Sequence, residues 1–233
     1  MADKVCMVAG VGPGTGAALS RRFAAGGYRV AMLARDAERL GALEREIAGS
    51  RGYAVDVIDA ASVAEVTARI GSDLGPPAVL VHNAVSGQFG EFLDVAPADL
   101  ERTFRTNVLS LMILGQAIVP GMLAAGGGAI VVTGNTSAWR GVASFAAFAP
   151  SKAAQRILAQ AMARSLGPKG IHVAYVVVDA VIDVPWTRQA FAAKPDEFFA
   201  RPAGIAETVY HVAHQERSAW TFEVDLRPFG EKW

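Results

Sequence analysis

The sequence predicts an α/β fold, a doubly wound parallel sheet of about seven strands with helices on both faces, in a single domain spanning residues 1–233. Three observations predict it. Short β-rich apolar runs alternate with stretches of helical periodicity along the whole chain, the order that right-handed βα crossovers produce. Several of the runs are near-continuous in Val, Ile and Ala without alternation, as in strands covered on both faces. The length of 233 residues, with 52% hydrophobic and 19% charged content, suits one large two-sided core.

Strands are expected at Lys4–Ala9, Arg29–Ala34, Gly52–Val57, Ala78–Asn83, Ala129–Gly134, His172–Val178 and Ala219–Leu226. Helices are expected at Gly14–Ala25, Ala37–Ala48, Ser62–Gly71, Pro97–Ala124, Pro150–Leu166 and Ile205–His214. Asp36 reads as the N-cap of the helix that begins Ala37-Glu38-Arg39-Leu40. Pro76-Pro77 and Gly126-Gly127-Gly128 are turns that lead into strands. Val184–Gly204 has no clear period and is rich in Pro, Phe and Ala. An insertion of that kind near strand carboxyl ends suits a mobile substrate lid, and its Trp186, Phe191, Phe198 and Phe199 suggest an apolar or aromatic pocket. The C-terminal run reads as a last strand and a tail, with Phe229 and Trp233 packing on the domain or on a neighbour.

Composition excludes several partners. Formal net charge is zero, which gives no bulk electrostatic case for nucleic acid or anionic membrane. Cys6 is the single cysteine and sits in an apolar run; it reads as a small buried hydrophobe, and the absence of any internal disulfide fits a reducing cytoplasm. Met1-Ala2-Asp3-Lys4 leads directly into an apolar run and a glycine turn, without a signal-peptide cleavage site. Thr106–Trp139 carries no charge, but Asn107, Gln116, Pro120 and the triplet Gly126-Gly127-Gly128 interrupt it, so a buried helix and strand are expected there instead of a membrane span. His82, His172, His211 and His214 are scattered, and no metal site is expected. Ser144 and Ser151 lack the glycine setting of a hydrolase nucleophile.

The first strand runs into Gly10-Val11-Gly12-Pro13-Gly14-Thr15-Gly16 and then into a helix. Strand, glycine turn and helix in that order make an anion site, where backbone N–H groups and the helix dipole meet a pyrophosphate. The position that senses the adenosine ribose follows about twenty residues later. That distance reaches Ala34-Arg35-Asp36: Arg35 offers a guanidinium, and a one-residue shift would make Asp36 the acid, although Asp36 reads better as the helix N-cap.

The spacing Gly10-x-x-x-Gly14-x-Gly16, the turn His82-Asn83-Ala84-Val85 and the segment Phe148-Ala149-Pro150-Ser151-Lys152 together resemble the short-chain dehydrogenase/reductase family from Gly10 to about Val184. The resemblance implies a Rossmann-type fold and NADP as cofactor, favoured by Arg35, with NAD the alternative. It places Gly10, Gly12, Gly14, Thr15 and Gly16 on the pyrophosphate, Asp56 on the adenine amino group, Asn83 and Ala84 beside the cofactor, and Ile182 against the nicotinamide. The family's catalytic Asn, Ser, Tyr and Lys correspond to Asn107, Asn135, Phe148 and Lys152. Asn107 would interrupt the long helix and hold a proton-relay water, while Lys152 would hold the nicotinamide ribose.

Phe148 has no proton to give. Asn135 stands where the family has Ser, with Thr136 and Ser137 in local reach; Val85, Asp179-Ala180 and Val184 also depart from the family pattern around the nicotinamide. Ser144, Ser137, Thr136 or a water on Lys152 are the remaining proton sources, since Tyr28, Tyr53, Tyr175 and Tyr210 lie far from 148 in sequence. The resemblance therefore implies an atypical oxidoreductase of a small carbonyl or alcohol, acting as a homodimer or homotetramer in the cytoplasm. The alternative is a nucleotide-binding pseudoenzyme that serves as a sensor or subunit partner.

Overall fold

A computed structural model describes residues 4–230; Trp233, expected to pack as a tail anchor, and the first three residues lie outside them. Seven strands form one parallel sheet in the order β3-β2-β1-β4-β5-β6-β9. They are β1 (Val5–Ala9), β2 (Arg29–Ala34), β3 (Ser50–Ala54), β4 (Pro77–His82), β5 (Gly128–Asn135), β6 (Ile171–Val178) and β9 (Glu223–Leu226). A separate parallel pair joins β7 (Val181–Ile182) to β8 (Phe199–Ala200). The helices are α1 (Thr15–Ala25), α2 (Ala37–Glu46), α3 (Ala60–Asp73), α4 (Pro97–Phe104), α5 (Ser110–Ala124), α6 (Phe148–Leu166), α7 (Pro185–Ala190) and α8 (Pro202–Ala213).

The period-2 geometry of a strand explains the two cores. In β1, Val5, Met7 and Ala9 enter one apolar cluster together with residues of α3, α5 and α6. Cys6 and Val8 point the other way, into a second cluster with α1, α2 and α8. All eight residues of β6 are buried, so this strand is read correctly from its unbroken apolar run. Each fully buried Leu, Val or Phe contributes about 1.5–3 kcal/mol, and both faces of the sheet contribute.

Several boundaries move. The third strand ends at Ala54 instead of Val57: Val55 still donates to the Ala34 carbonyl at 2.9 Å, but beyond it the chain leaves the sheet. The last strand starts at Glu223, because Arg217–Ala219 form a 3-10 turn capped by Glu216. The helix expected at Ile205 begins at Pro202, which supplies a pre-set φ at its first position. Asp36 caps α2 as expected, accepting from the Arg39 N–H at 2.9 Å.

Pro97–Ala124 is the one stretch among the described residues long and apolar enough to cross a membrane. Here it is α4, a π turn at Arg105–Leu109 and α5, laid on the sheet with Leu111, Leu114, Ile118 and Met122 in the core. The expectation of a buried helix holds for that face alone; Leu109 and Met112 are exposed.

Candidate active site

The strand order reverses between β1 and β4, and crevices for ligands open at the carboxyl ends of strands on either side of such a switch. Gly10 directly follows β1 with φ of +89°, a conformation that favours glycine. Its backbone lies so close to the chain after β4 that a Cβ would sit 2.5 Å from Ala84 Cα. Asn83 fastens the same junction: its Nδ2 donates to the Gly10 carbonyl at 2.8 Å, and its Oδ1 accepts from Thr133 Oγ1 at 3.1 Å.

The glycine turn then opens α1 without a side-chain cap, and the N–H groups of Thr15 and Gly16 have no partner among the described residues. A Cβ at Gly16 would lie 2.6 Å from the Gly10 carbonyl oxygen, while one at Gly12 would meet open space. Unpaired N–H groups, the positive helix end and a bare backbone fit a pyrophosphate.

A cleft of about 810 Å³ runs from this turn across the carboxyl edge of the sheet. Arg35, Asp36 and Arg39 line one end, and Asp56, Asn83, Ala84 and Val85 line it further along. Arg35 is exposed, whereas Arg39 pairs with Asp36 at 2.9 Å. Asp56 accepts from the Ile58 N–H at 3.3 Å. Ile182, Val184 and Trp186 close the far wall, and Val184 Cγ1 covers Gly14, at 2.6 Å from where a Cβ would stand.

A second pocket of about 140 Å³ shares Thr15, Asn83, Val85 and Ile182 with the cleft. Asn135 and Lys152 lie in its wall. Asn135 Oδ1 accepts from the Ser137 N–H at 3.1 Å. Lys152 is only 3% exposed, which excludes an ordinary surface lysine. Its Nζ donates to Gln155 Oε1 at 2.9 Å and to the Thr133 carbonyl at 3.3 Å, and burial pushes the ammonium down to about 7.

Gln155 holds the centre of a buried polar network. Its Oε1 also accepts from Tyr175 Oη at 3.3 Å. Its Nε2 donates to the Asn107 carbonyl at 2.8 Å and to His82 Nδ1 at 3.4 Å. His82 must therefore carry its proton on Nε2 and donate to Ser110 Oγ at 2.7 Å, while Ser110 donates to the Thr106 carbonyl at 2.5 Å. Burial, and then the Lys152 charge, push the imidazole down to about 3, so it is neutral at physiological pH. Both ends of the amide are satisfied, which fixes its orientation.

Asn107 sits in the π turn between α4 and α5. Its side chain accepts from the Ser86 N–H at 2.8 Å and donates to Ser151 Oγ at 2.8 Å and the Ser86 carbonyl at 3.0 Å. The proton-relay water expected at Asn107 has a competitor for the backbone carbonyl, because Gln155 already donates there.

Phe148 opens α6 and is buried. It packs edge-on against Phe89 and Phe145, with ring centroids at 5.3 and 5.9 Å, and Lys152 Nζ lies 5.9 Å from its ring centre. Farther along α6, Tyr175 Oη meets the Lys152 carbonyl at 3.4 Å, and its ring fills the space that glycine leaves at 134: a Cβ there would lie 2.1 Å from that ring. Burial, then the Glu223 charge, raise the Tyr175 phenol well above its usual value.

The family profile of the short chain dehydrogenases matches residues 4–194. The chain belongs to the short-chain dehydrogenase family. These are NAD(P)-dependent oxidoreductases. A D-xylose 1-dehydrogenase of Caulobacter vibrioides is 34% identical over 178 residues, covering 75% of this chain and 70% of the relative. A D-threitol dehydrogenase of Mycolicibacterium smegmatis is 30% identical, covering 73% and 67% of the two chains. Among solved structures, a short-chain dehydrogenase from Rhodopseudomonas palustris has TM-score 0.83 and 30% identity over 97% of this chain and 99% of its own. A metagenomic short-chain oxidoreductase in complex with NADP has TM-score 0.84 and 28% identity over 97% of both chains.

The dehydrogenase brings most of the sequence-predicted residues to one carboxyl edge of the sheet: Gly10, Gly12, Thr15, Gly16, Arg35, Asp56, Asn83, Ala84 and Ile182 line the cleft, Asn135 and Lys152 line the adjoining pocket, and Gly14, Asn107 and Phe148 line neither. The aromatic lid pocket is corrected. Of the four rings, Trp186 lines the cleft, while Phe198 packs against Phe191 at a tilt and against Phe199 edge-on, with centroids 5.7 and 5.2 Å apart. The segment 184–204 is folded: Arg188 clamps Asp183 and Asp196, each at 2.6 Å, with its guanidinium 4.1 Å from the Phe199 ring centre. Sequence reading missed Arg39, Gln155 and Tyr175. Gln155 had one local signal, a polar residue three positions after Lys152 on the same helix face.

Proposed function

We propose that this dehydrogenase is an atypical NADP(H)-dependent oxidoreductase of a small carbonyl or alcohol. The observation that carries the reading is Lys152, buried in the wall of the 140 Å³ pocket that adjoins the nucleotide cleft. When bound, the dinucleotide supplies or accepts the hydride. Gly10, Gly12, Gly14, Thr15 and Gly16 hold its pyrophosphate, Asp56 meets the adenine, and Asn83 and Ala84 form the floor. Ile182 faces the nicotinamide, and Lys152 lies beside the adjoining ribose. Asn107 braces the loop at Ser86, and Asn135 orients the substrate oxygen. NADPH oxidation across a panel of aldehydes, ketones and quinones is the expected result. Complete inactivity alongside tight NADPH binding rejects the reading and favours a nucleotide-binding pseudoenzyme, which the changes at Phe148, Val85, Asp179 and Val184 support.

The preference for NADP rests on Arg35, exposed beside a cleft end that has no acid at Ala34. Charge-assisted hydrogen bonds contribute about 1.5–3 kcal/mol, so Arg35→Glu is expected to weaken NADPH about tenfold or more and leave NADH nearly unchanged. Separate titrations of the two cofactors check this; equal or tighter NADH binding to the wild type refutes the preference.

The chain works as one domain in which 184–204 forms a lid. Slower hydrogen exchange of that segment with NADPH is expected, and unchanged exchange argues against a lid. The exposed apolar residues Leu109 and Met112, with Ile157 of α6, support a homodimer or homotetramer, which light scattering showing a monomer would exclude. A cytoplasmic location agrees with the lone buried Cys6 and is checked by cell fractionation.

A further inference from the structure

We propose that Lys152 is itself the proton donor of this enzyme, with Gln155 as the residue that positions it. This rests on the redox reading above. Among the residues that line the 140 Å³ pocket, Lys152 is the only titratable one. Three hydroxyls around it are committed. Ser151 Oγ donates to the Phe148 carbonyl at 2.7 Å, Thr133 Oγ1 points to Asn83, and Tyr175 is buried beneath α6 with its Oη on Gln155 and the Lys152 carbonyl. Phe148 offers a ring where an acid would otherwise stand.

An ammonium has three N–H donors. Two are used, on Gln155 Oε1 and the Thr133 carbonyl, and the third is left for the pocket. The groups that face Nζ from other elements are His82 on β4, which is neutral, and Tyr175 on β6, whose phenol is raised. No carboxylate pairs with Lys152 among the described residues. Burial alone lowers its titration to about 7, where a general acid is most effective at neutral pH.

The balance is simple. The substrate carbon gains a hydride from the reduced nicotinamide, which leaves oxidised. The substrate oxygen gains the proton of Lys152, directly or across one water. A C–H and an O–H bond form as the C=O π bond is lost. The N–H bond breaks with its electron pair kept on nitrogen, and solvent restores the ammonium. In the reductive direction the protonated form is active, so the rate falls above pH 7; in the oxidative direction it rises.

Two measurements test this. The chain has five lysines, Lys4, Lys152, Lys169, Lys194 and Lys232, so 13C-lysine labelling resolves them by NMR without cofactor. One resonance is expected to titrate near pH 7 and to vanish in Lys152→Arg; wild-type lysines that all titrate near the ordinary value overturn the proposal whatever the variant does. With 9,10-phenanthrenequinone or 4-nitrobenzaldehyde as probe, NADPH oxidation is expected to fall about tenfold per pH unit above the break. In Lys152→Arg the break is expected to disappear and the rate to drop about a hundredfold. In Gln155→Leu the ammonium loses an acceptor, so the break is expected to move to lower pH. Turnover whose break survives in Lys152→Arg overturns this assignment alone. No NADPH oxidation with any carbonyl at any pH overturns the redox reading and this assignment with it.

Discussion

Phe148→Tyr is expected to raise the reductive rate about a hundredfold, the lower end of what a positioned acid contributes, because Lys152 already supplies a proton in the parent enzyme. The ring stands on the first turn of α6, with Lys152 one turn on and its Nζ 5.9 Å from the ring centre. A phenol there would have its ionised form stabilised by the ammonium. The check is kcat and kcat/KM for NADPH-dependent reduction of the same quinone or aldehyde, measured from pH 6 to 9. A gain confined to kcat, with unchanged NADPH affinity, would mark a nicotinamide site still shaped for hydride transfer. No gain would mean that the departures at Asn135, Val85 and Val184 have moved the reacting atoms, since a displacement of about 1 Å costs roughly a hundredfold.

The second large effect is expected at Gly10→Ala. Here a Cβ meets backbone, not a flexible side-chain end: Ala84 Cα and N both lie 2.5 Å away. The φ of +89° adds strain for any L side chain. Strain and overpacking together predict a loss of about 2–5 kcal/mol, seen as a lower Tm, and NADPH affinity falling with it because Asn83 can no longer reach the Gly10 carbonyl. Gly12→Ala is the control. Its Cβ would meet nothing in the protein, so stability should hold while NADPH binding weakens. Equal Tm losses in the two variants would contradict this division.

What the chain disclosed in advance was what short-range chemistry decides. The turn after β1, the cap at Asp36 and the guanidinium at Arg35 are each set by a few consecutive residues. The site's interior was less accessible because it depends on packing between distant segments. Tyr175 looked remote from position 148, yet the parallel pairing of β5 with β6 places it under α6, where it meets Gln155. The role of Gln155 required Asn107, His82 and Lys152 to arrive from three different elements. The third strand was placed too far along because Val55 and Val57 have strand-like side chains, although the sheet releases the chain after the Val55 N–H has bonded to Ala34. The lid aromatics misled for a related reason: composition gives no direction, and Phe191 and Phe199 each pack against Phe198.

The contact between Gly134 and Tyr175 constrains the order in which this protein can change. Any side chain at 134 collides with the phenol ring, so a substitution there is blocked until position 175 has become small. Tyr175→Ala first, by contrast, loses buried area and a hydrogen bond but leaves no clash. The two positions are therefore linked by sign epistasis, and a laboratory route that rebuilds this wall of the pocket must pass through residue 175 before it reaches residue 134.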